Sequence, residues 1–357
     1  QEPSALTLLT THRSRLAARR RRVPVSGADV ARCRNPRASD APSVRRRSIY
    51  ASRKYPRSAG ATDPFAPPWA SRSACSKIHG FRNAPRPTNT PATAVSFLEG
   101  PACTREGTVY FSDIANNRIL TYTPGVTGFQ VFREPSGRAN GLLLDPSGRL
   151  LACEGNEHGD DDGGRRMTRT DLTTGEVEIL TDNYQGHRYN APNDVAVRSN
   201  GQIFFTDPCY GDRATMELDH DSVYRIDIDG SVTRVLTQPE IQRPNGIHLS
   251  PDENTLYLVD SCPVIDGNRK IWAFDLSEDG TPSSPRVVYD FAPGRGGDGM
   301  AVDSQGNLYI AAGISRSRGV HETGDIPPGI WVITPGGEVR GRIPIVEDVL
   351  TNVTFGG

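Results

Sequence analysis

The chain has 357 residues, of which only 36% are hydrophobic; Gly (36) and Pro (28) are frequent, and the formal net charge is −1. That mix suits a turn-rich, all-β protein and argues against a helical bundle. No apolar run approaches the ~20 residues a membrane span needs, so the chain reads as soluble, with no membrane partner.

The near-neutral charge conceals two unlike parts. Residues 1–92 carry 19 Lys/Arg against 4 Asp/Glu, whereas residues 93–357 carry 22 against 38. The first part includes Arg19-Arg20-Arg21-Arg22 and Arg45-Arg46-Arg47, many Ser, Pro and Ala, and no sustained period of 2 or 3.6. Such a segment buries too little apolar surface to offset the entropy of ordering, so most of 1–92 is expected to be disordered. Three roles compete for it: none at all, as a non-native extension; organelle targeting, by its Arg- and Ser-rich, acid-poor character; or, least favoured, an anionic-surface or nucleic-acid tail. No apolar stretch follows the charges as a secretory signal requires, so cytoplasmic residence is the default. The six cysteines form no CxxC pair and no zinc spacing, and are expected to be free thiols.

Residues 93–357 contain a repeated phrase: a Gly or Asn turn, then a short β-rich run that often ends in an acid. The copies are GTVYFSD (107–113), GRLLACE (148–154), GQIFFTD (201–207), NTLYLVD (254–260) and GNLYIAA (306–312), starting 41, 53, 53 and 52 residues apart. Each is followed by a second strand-turn-strand phrase, such as DSVYRIDIDGSVTRVL, whose alternation around a tight turn reads as a hairpin. Units of roughly 40–50 residues with four short strands predict a β-propeller. A parallel β-helix would repeat faster, and an α/β fold would show helical patterns between the strands.

A third phrase precedes each copy: LEGPAC, RANGLLL, APNDVAV, RPNGIHL and GGDGMAV, with LTNVTFGG at the end of the sequence. In register, one slot holds Glu99, Asn140, Asn193, Asn245, Asp298 and Asn352. Six copies predict six blades, the last incomplete because Gly357 follows its first strand; residues just before Glu99 are the expected source of an outer strand. The domain is accordingly placed at 93–357. A residue opening each inner strand lies at one end of the central channel, so symmetry brings the six slots toward one axis. Any single Asn-Gly or Asp-Gly is explained by a turn. Six in register, two of them acidic, favour a cation held by hard oxygens: Ca²⁺ first, Mg²⁺ or Mn²⁺ as alternatives, Zn²⁺ disfavoured by the lack of His or Cys in the slot. Gly297 and Gly299 would let Asp298 turn inward.

Other candidates are weaker. Asn140, His187 and Arg188 are the candidate substrate contacts, the last two being equally readable as a plain surface loop. Gly159-Asp160-Asp161-Asp162-Gly163 reads as a solvated loop rather than a calcium loop. His158 and His248 read as structural, and Asp207 as an orienter of neighbouring backbone or, less favoured, an aid to a second metal. No GxSxG, P-loop or dinucleotide fingerprint occurs.

In these phrases, above all YNAPNDVAVRSNGQIFFTDP, RPNGIHLSPDENTLYLVD and GGDGMAVDSQGNLYIA, the sequence resembles the gluconolactonase and regucalcin-like family of six-bladed propellers, over about residues 95–357. The resemblance implies a divalent-metal lactone hydrolase, commonly using Ca²⁺, acting on a small-molecule sugar lactone. It implies Glu99, Asn245 and Asp298 as core metal ligands, Asn193 as a further ligand or substrate contact, and Asp298 as the group that activates water. Family chains continue beyond the last FGG, which would leave ring closure incomplete here. Two other readings stay open: a related esterase or organophosphate hydrolase on the same scaffold, and a non-catalytic propeller that binds calcium or a protein.

Overall fold

The computed structural model describes residues 6–10, 95–157, 162–317 and 322–356, all within one compact unit. Five four-stranded antiparallel sheets follow one another along the chain, each a simple meander. The first blade is built from Leu98–Cys103, Val109–Asp113, Arg118–Tyr122 and Gln130–Arg133. The second uses Ala139–Leu144, Leu150–Glu154, Arg166–Thr170 and Val177–Thr181. The third uses Val195–Val197, Ile203–Asp207, Ser222–Ile226 and Val232–Thr237. The fourth comprises Pro244–Leu249, Thr255–Ser261, Arg269–Leu276 and Pro282–Asp290. The fifth comprises Gly297–Val302, Leu308–Ala312, Gly329–Ile333 and Val339–Pro344. Every repeated phrase read as a strand is the second strand of its blade.

The propeller is therefore present, with five full blades rather than six among the described residues. The sixth position holds Leu350–Phe355, paired antiparallel with Leu6–Thr10 in a two-stranded sheet. The outer strand is expected from residues just before Glu99; of these, the described residues 95–97 lie outside the strands, and the described partner of the terminal strand comes from within the basic segment. Of the cysteines, Cys103, Cys153, Cys209 and Cys262 are free thiols, while Cys33 and Cys75 lie outside the described residues.

Apolar side chains from adjacent blades meet between the sheets. Phe205, Tyr224 and Tyr189 of the third blade region pack with Leu151, Cys153 and Met167 of the second. Phe204 and Val223 face Leu256, Leu258 and Phe274 of the fourth. Phe204 and Phe205 thus serve opposite faces of one strand, as the two-residue period requires. Each is fully buried, and truncating either to Ala would cost about 3–5 kcal/mol. Leu350 and Val353 pack against Ala301, Ala311 and Ile330, seating the terminal strand on the fifth blade. Its other side meets the first blade, where Thr351 Oγ1 donates to Leu98 O at 2.7 Å.

Two features of the inner strands position the site. First, the ladder breaks at the same point in four blades. Pairing skips between Glu99 and Ala102, Ala139 and Leu142, Pro244 and Ile247, and Gly297 and Met300. Such a bulge re-aims a side chain out of the alternating pattern. Second, neighbouring inner strands nearly touch. A Cβ on Gly100 would lie 2.1 Å from Asn140 O, and one on Gly299 would lie 2.0 Å from Asn352 Cγ. Glycine follows the slot residue where the next strand approaches too closely for any side chain.

Candidate functional site

The acid that ends several of the repeated strands has a defined task. Asp113 accepts from Ser96 N (3.0 Å) and Phe97 N (3.3 Å). Asp207 accepts from Asn190 N (2.9 Å) and Ala191 N (2.8 Å), and Asp260 from Gln242 N and Arg243 N. Each carboxylate thus pins the backbone just upstream of a slot residue, as expected for Asp207. Glu154, at the same place in the second blade, instead pairs with Arg133 and Arg166.

All six slot residues are buried. The side chains of four of them meet: Glu99, Asn245, Asp298 and Asn352. Glu99 and Asp298 feel each other's charge: burial, then Asp298, raise the Glu99 carboxyl well above the usual range. Burial also raises Asp298, opposed by the Arg295 guanidinium and by hydrogen bonds from Arg295 and Asn245. Asn245 Nδ2 further donates to the Tyr210 hydroxyl at 3.1 Å, which leaves Oδ1 as the acceptor of that amide. Asn352 Nδ2 donates to Glu99 Oε2 at 3.2 Å. Asn140 and Asn193 sit in the same ring of strands through their backbones: Ser112 Oγ donates to Asn140 O at 2.7 Å and Gly141 N to Asn193 O at 2.6 Å.

Arg295 was not evident from sequence. Its Nη2 contacts Asp298 Oδ2 at 2.5 Å, and its Nη1 donates to Leu350 O at 3.2 Å. Burial disfavours its charge, but the Asp298 and Glu322 carboxylates more than compensate, so its pKa rises. Within the phrase PGRGGDG, Arg295 sets the local charge at Asp298.

Two more acids escaped the sequence reading. Asp194 follows the third slot where other blades have Gly. Its Oδ1 accepts from Val195 N at 2.9 Å and its Oδ2 from Ile247 N at 3.3 Å. Burial pushes it up to about 7. It lines a cavity of about 50 Å³ in the channel together with Gly100, Leu142, His248 and Asn352. Glu157 lies in the loop after the second strand of the second blade; burial, then the Asp298 charge, push it up to about 7, and its enclosed Oε1 has no hydrogen-bond partner. An acid inside a polar loop gives no periodic signal, which is why neither stood out.

His187 and Arg188 form a two-residue strand in a hairpin with Asn183 and Tyr184, and both are exposed. Arg188 is engaged by Glu217, through Nε at 2.5 Å and through its backbone N at 2.9 Å. His248 Nδ1 lies 2.8 Å from Leu249 O, consistent with a structural histidine. His158 and residues 159–161 lie outside the described residues, while Asp162 is exposed and paired with Arg138.

Among the described residues no three His, Cys, Asp or Glu side chains group as a metal-holding set. What the axis offers is two buried carboxylates plus amide oxygens, and the Asp298 charge adds to the cost of ionising Glu99. Two buried like charges are stabilised by a shared cation, and hard oxygens fit an alkaline-earth or Mn²⁺ ion better than zinc. The residues present fit such an ion. No helix among the described residues is long and apolar enough to cross a membrane.

Comparison with known proteins agrees with this architecture. The pattern of the SMP-30/Gluconolactonase/LRE-like region matches residues 97–357. A gluconolactonase of Zymomonas mobilis is 31% identical over 75% of this chain and 75% of its own. The structure of a gluconolactonase from Xanthomonas campestris superposes with a TM-score of 0.59 at 31% identity, covering 73% of this chain and 83% of the other. A calcium-binding regucalcin from Agrobacterium tumefaciens superposes at 0.55 with 20% identity, over 72% and 77% of the two chains, a likeness of fold. With a family pattern over most of its length and a curated relative at this identity, the chain belongs to the SMP-30/gluconolactonase/LRE-like family.

Proposed function

We propose that the protein hydrolyses a sugar lactone, with a hard divalent cation held by Glu99, Asn245 and Asp298 and with Asn193 as a further ligand or substrate contact. The observation that carries this reading is the meeting of two buried carboxylates and an amide on the propeller axis, in a chain whose relatives include gluconolactonases. When bound, the cation would polarise the lactone carbonyl. Ca²⁺ is the ion the regucalcin likeness brings to mind, with Mg²⁺ and Mn²⁺ as alternatives.

The chain's own groups account for the remaining chemistry. A lactone is a cyclic ester, so opening it needs water at the carbonyl carbon and a proton on the departing ring oxygen. Asp298 is the base in this reading. Its Oδ2 is held by Arg295, which fixes the carboxylate's orientation as it takes a proton from the attacking water. That proton then passes to the ring oxygen as the carbon–oxygen bond breaks, giving a hydroxy acid. Burial of the surrounding side chains limits competing water and strengthens each charge interaction. Asn140, His187 and Arg188 remain candidate substrate contacts, the last two from the exposed hairpin.

The test is hydrolysis of glucono-δ-lactone by the metal-free protein and after addition of Ca²⁺, Mg²⁺, Mn²⁺ or Zn²⁺. Activity restored by a hard ion and abolished by Asp298→Ala supports the proposal. A folded, ion-loaded protein that opens no lactone would instead direct attention to phosphotriesters or to a binding role.

A further inference from the structure

The hydrogen bonds around the two carboxylates restrict how they can meet a cation. Asp298 Oδ2 is in contact with Arg295 Nη2 at 2.5 Å, with both side chains nearly buried. Arg295 is braced from behind by Leu350 O at 3.2 Å. Glu99 Oε2 accepts from Gly100 N at 3.0 Å and from Asn352 Nδ2 at 3.2 Å. Gly100 and its neighbours are fixed by close strand packing. On each carboxylate one oxygen, Asp298 Oδ2 and Glu99 Oε2, is therefore committed to protein donors, and Asp298 takes a further hydrogen bond from Asn245.

We propose that these contacts make Glu99 and Asp298 one-oxygen ligands, and that Arg295 and Asn352 thereby bias the site toward six-coordinate ions such as Mn²⁺ and Mg²⁺ over Ca²⁺. This rests on the metal reading above. Ca²⁺ commonly takes six to eight oxygens and uses carboxylates through both oxygens, whereas Mg²⁺ is held by one or two carboxylates and keeps several waters. Two-oxygen ligation by Asp298 would bring a divalent ion against the oxygen that a guanidinium already holds, and like charges in a buried site repel strongly. Arg295 is a positioning residue: it acts on the ion through Asp298, not on the substrate. Asn352 has the same relation to Glu99, without the charge.

The experiment is ion binding by the full chain, read without turnover: Mn²⁺ titrated by the loss of its free electron-paramagnetic signal, then displaced by Ca²⁺. Wild type is expected to prefer Mn²⁺. Arg295→Met should tighten both ions and shift the Mn²⁺/Ca²⁺ affinity ratio toward Ca²⁺ by about tenfold; Asn352→Ala should shift it the same way by a smaller factor. If Arg295→Met fails to fold, as near-ultraviolet circular dichroism would show, Asn352→Ala still tests the idea through the other carboxylate. An unchanged ratio in every folded variant overturns this inference and leaves the metal reading standing. A wild-type protein that binds neither ion overturns both.

Discussion

Two arginine–carboxylate pairs in this protein have the same separation and opposite meanings. Arg188 meets Glu217 at 2.5 Å on the hairpin before the third inner strand, with side chains 48% and 34% exposed. Arg295 meets Asp298 at 2.5 Å on the axis, with side chains 11% and 12% exposed. Water and salt screen the first pair, so its net contribution is about 0–1 kcal/mol. The second has little water to fall back on, so losing either partner strands a charge. Distance alone does not rank ion pairs. What matters is what else could solvate each group, and only the axial pair shares its carboxylate with a candidate reaction site.

The sharpest way to break the comparison is at Asp298. Asp298→Asn should lower kcat for glucono-δ-lactone by about 10²–10⁴-fold if it is the base, measured in a pH-stat; a residual rate near wild type would remove it from the chemistry. Next comes stability. Arg295→Met should cost about 3–5 kcal/mol in urea unfolding, because it leaves Asp298 and Glu99 without a counter-charge. Added divalent ion should recover part of that loss, and failure to do so would separate the arginine from any ion site. A smaller effect concerns pH. The Glu157 carboxyl is raised to about 7 in the folded protein, against about 4.3 for a free glutamate. It therefore costs no stability below pH 4 and withdraws stability as pH rises toward 7, where the folded state must ionise it. Glu157→Gln should flatten the fall in unfolding free energy between pH 4.5 and 7; an unchanged slope would mean the carboxyl is better solvated than its surroundings indicate. The least change is expected at the rim. Arg188→Ala should alter stability by no more than about 1 kcal/mol, and a selective rise in KM would reinstate Arg188 as a substrate contact.

Much of the architecture could be read from the chain because it repeats. Five copies of a strand phrase exposed the blades, and the acid of FFTDP proved to hold backbone upstream of Asn193, as the copies at Asp113 and Asp260 also do. Glu99, Asn245 and Asp298 were found by register, and the structure brings their side chains within electrostatic or hydrogen-bonding reach. What repetition could not reveal is whatever occurs once. Arg295 has no counterpart in the other copies of its phrase. Glu157 sits in a loop whose sequence shows only acidity. Leu6–Thr10 pairs with the strand Leu350–Phe355 at the far end of the sequence, and a five-residue run in a basic segment carries no mark of so distant a partner. The ladder breaks at the slots were invisible for another reason: a bulge is a property of two strands together, while the sequence displays them singly.

The pairing of Leu6–Thr10 with Leu350–Phe355 also has a mechanical consequence. Leu6 lies opposite Phe355, and Thr10 opposite Leu350, so a force pulling Leu6 and Phe355 apart loads the hydrogen bonds in series and unzips them one at a time. Continued traction would then draw on the strand that places Asn352 against Glu99 and the Leu350 carbonyl against Arg295. Tension across this one seam is thus transmitted to both axial carboxylates.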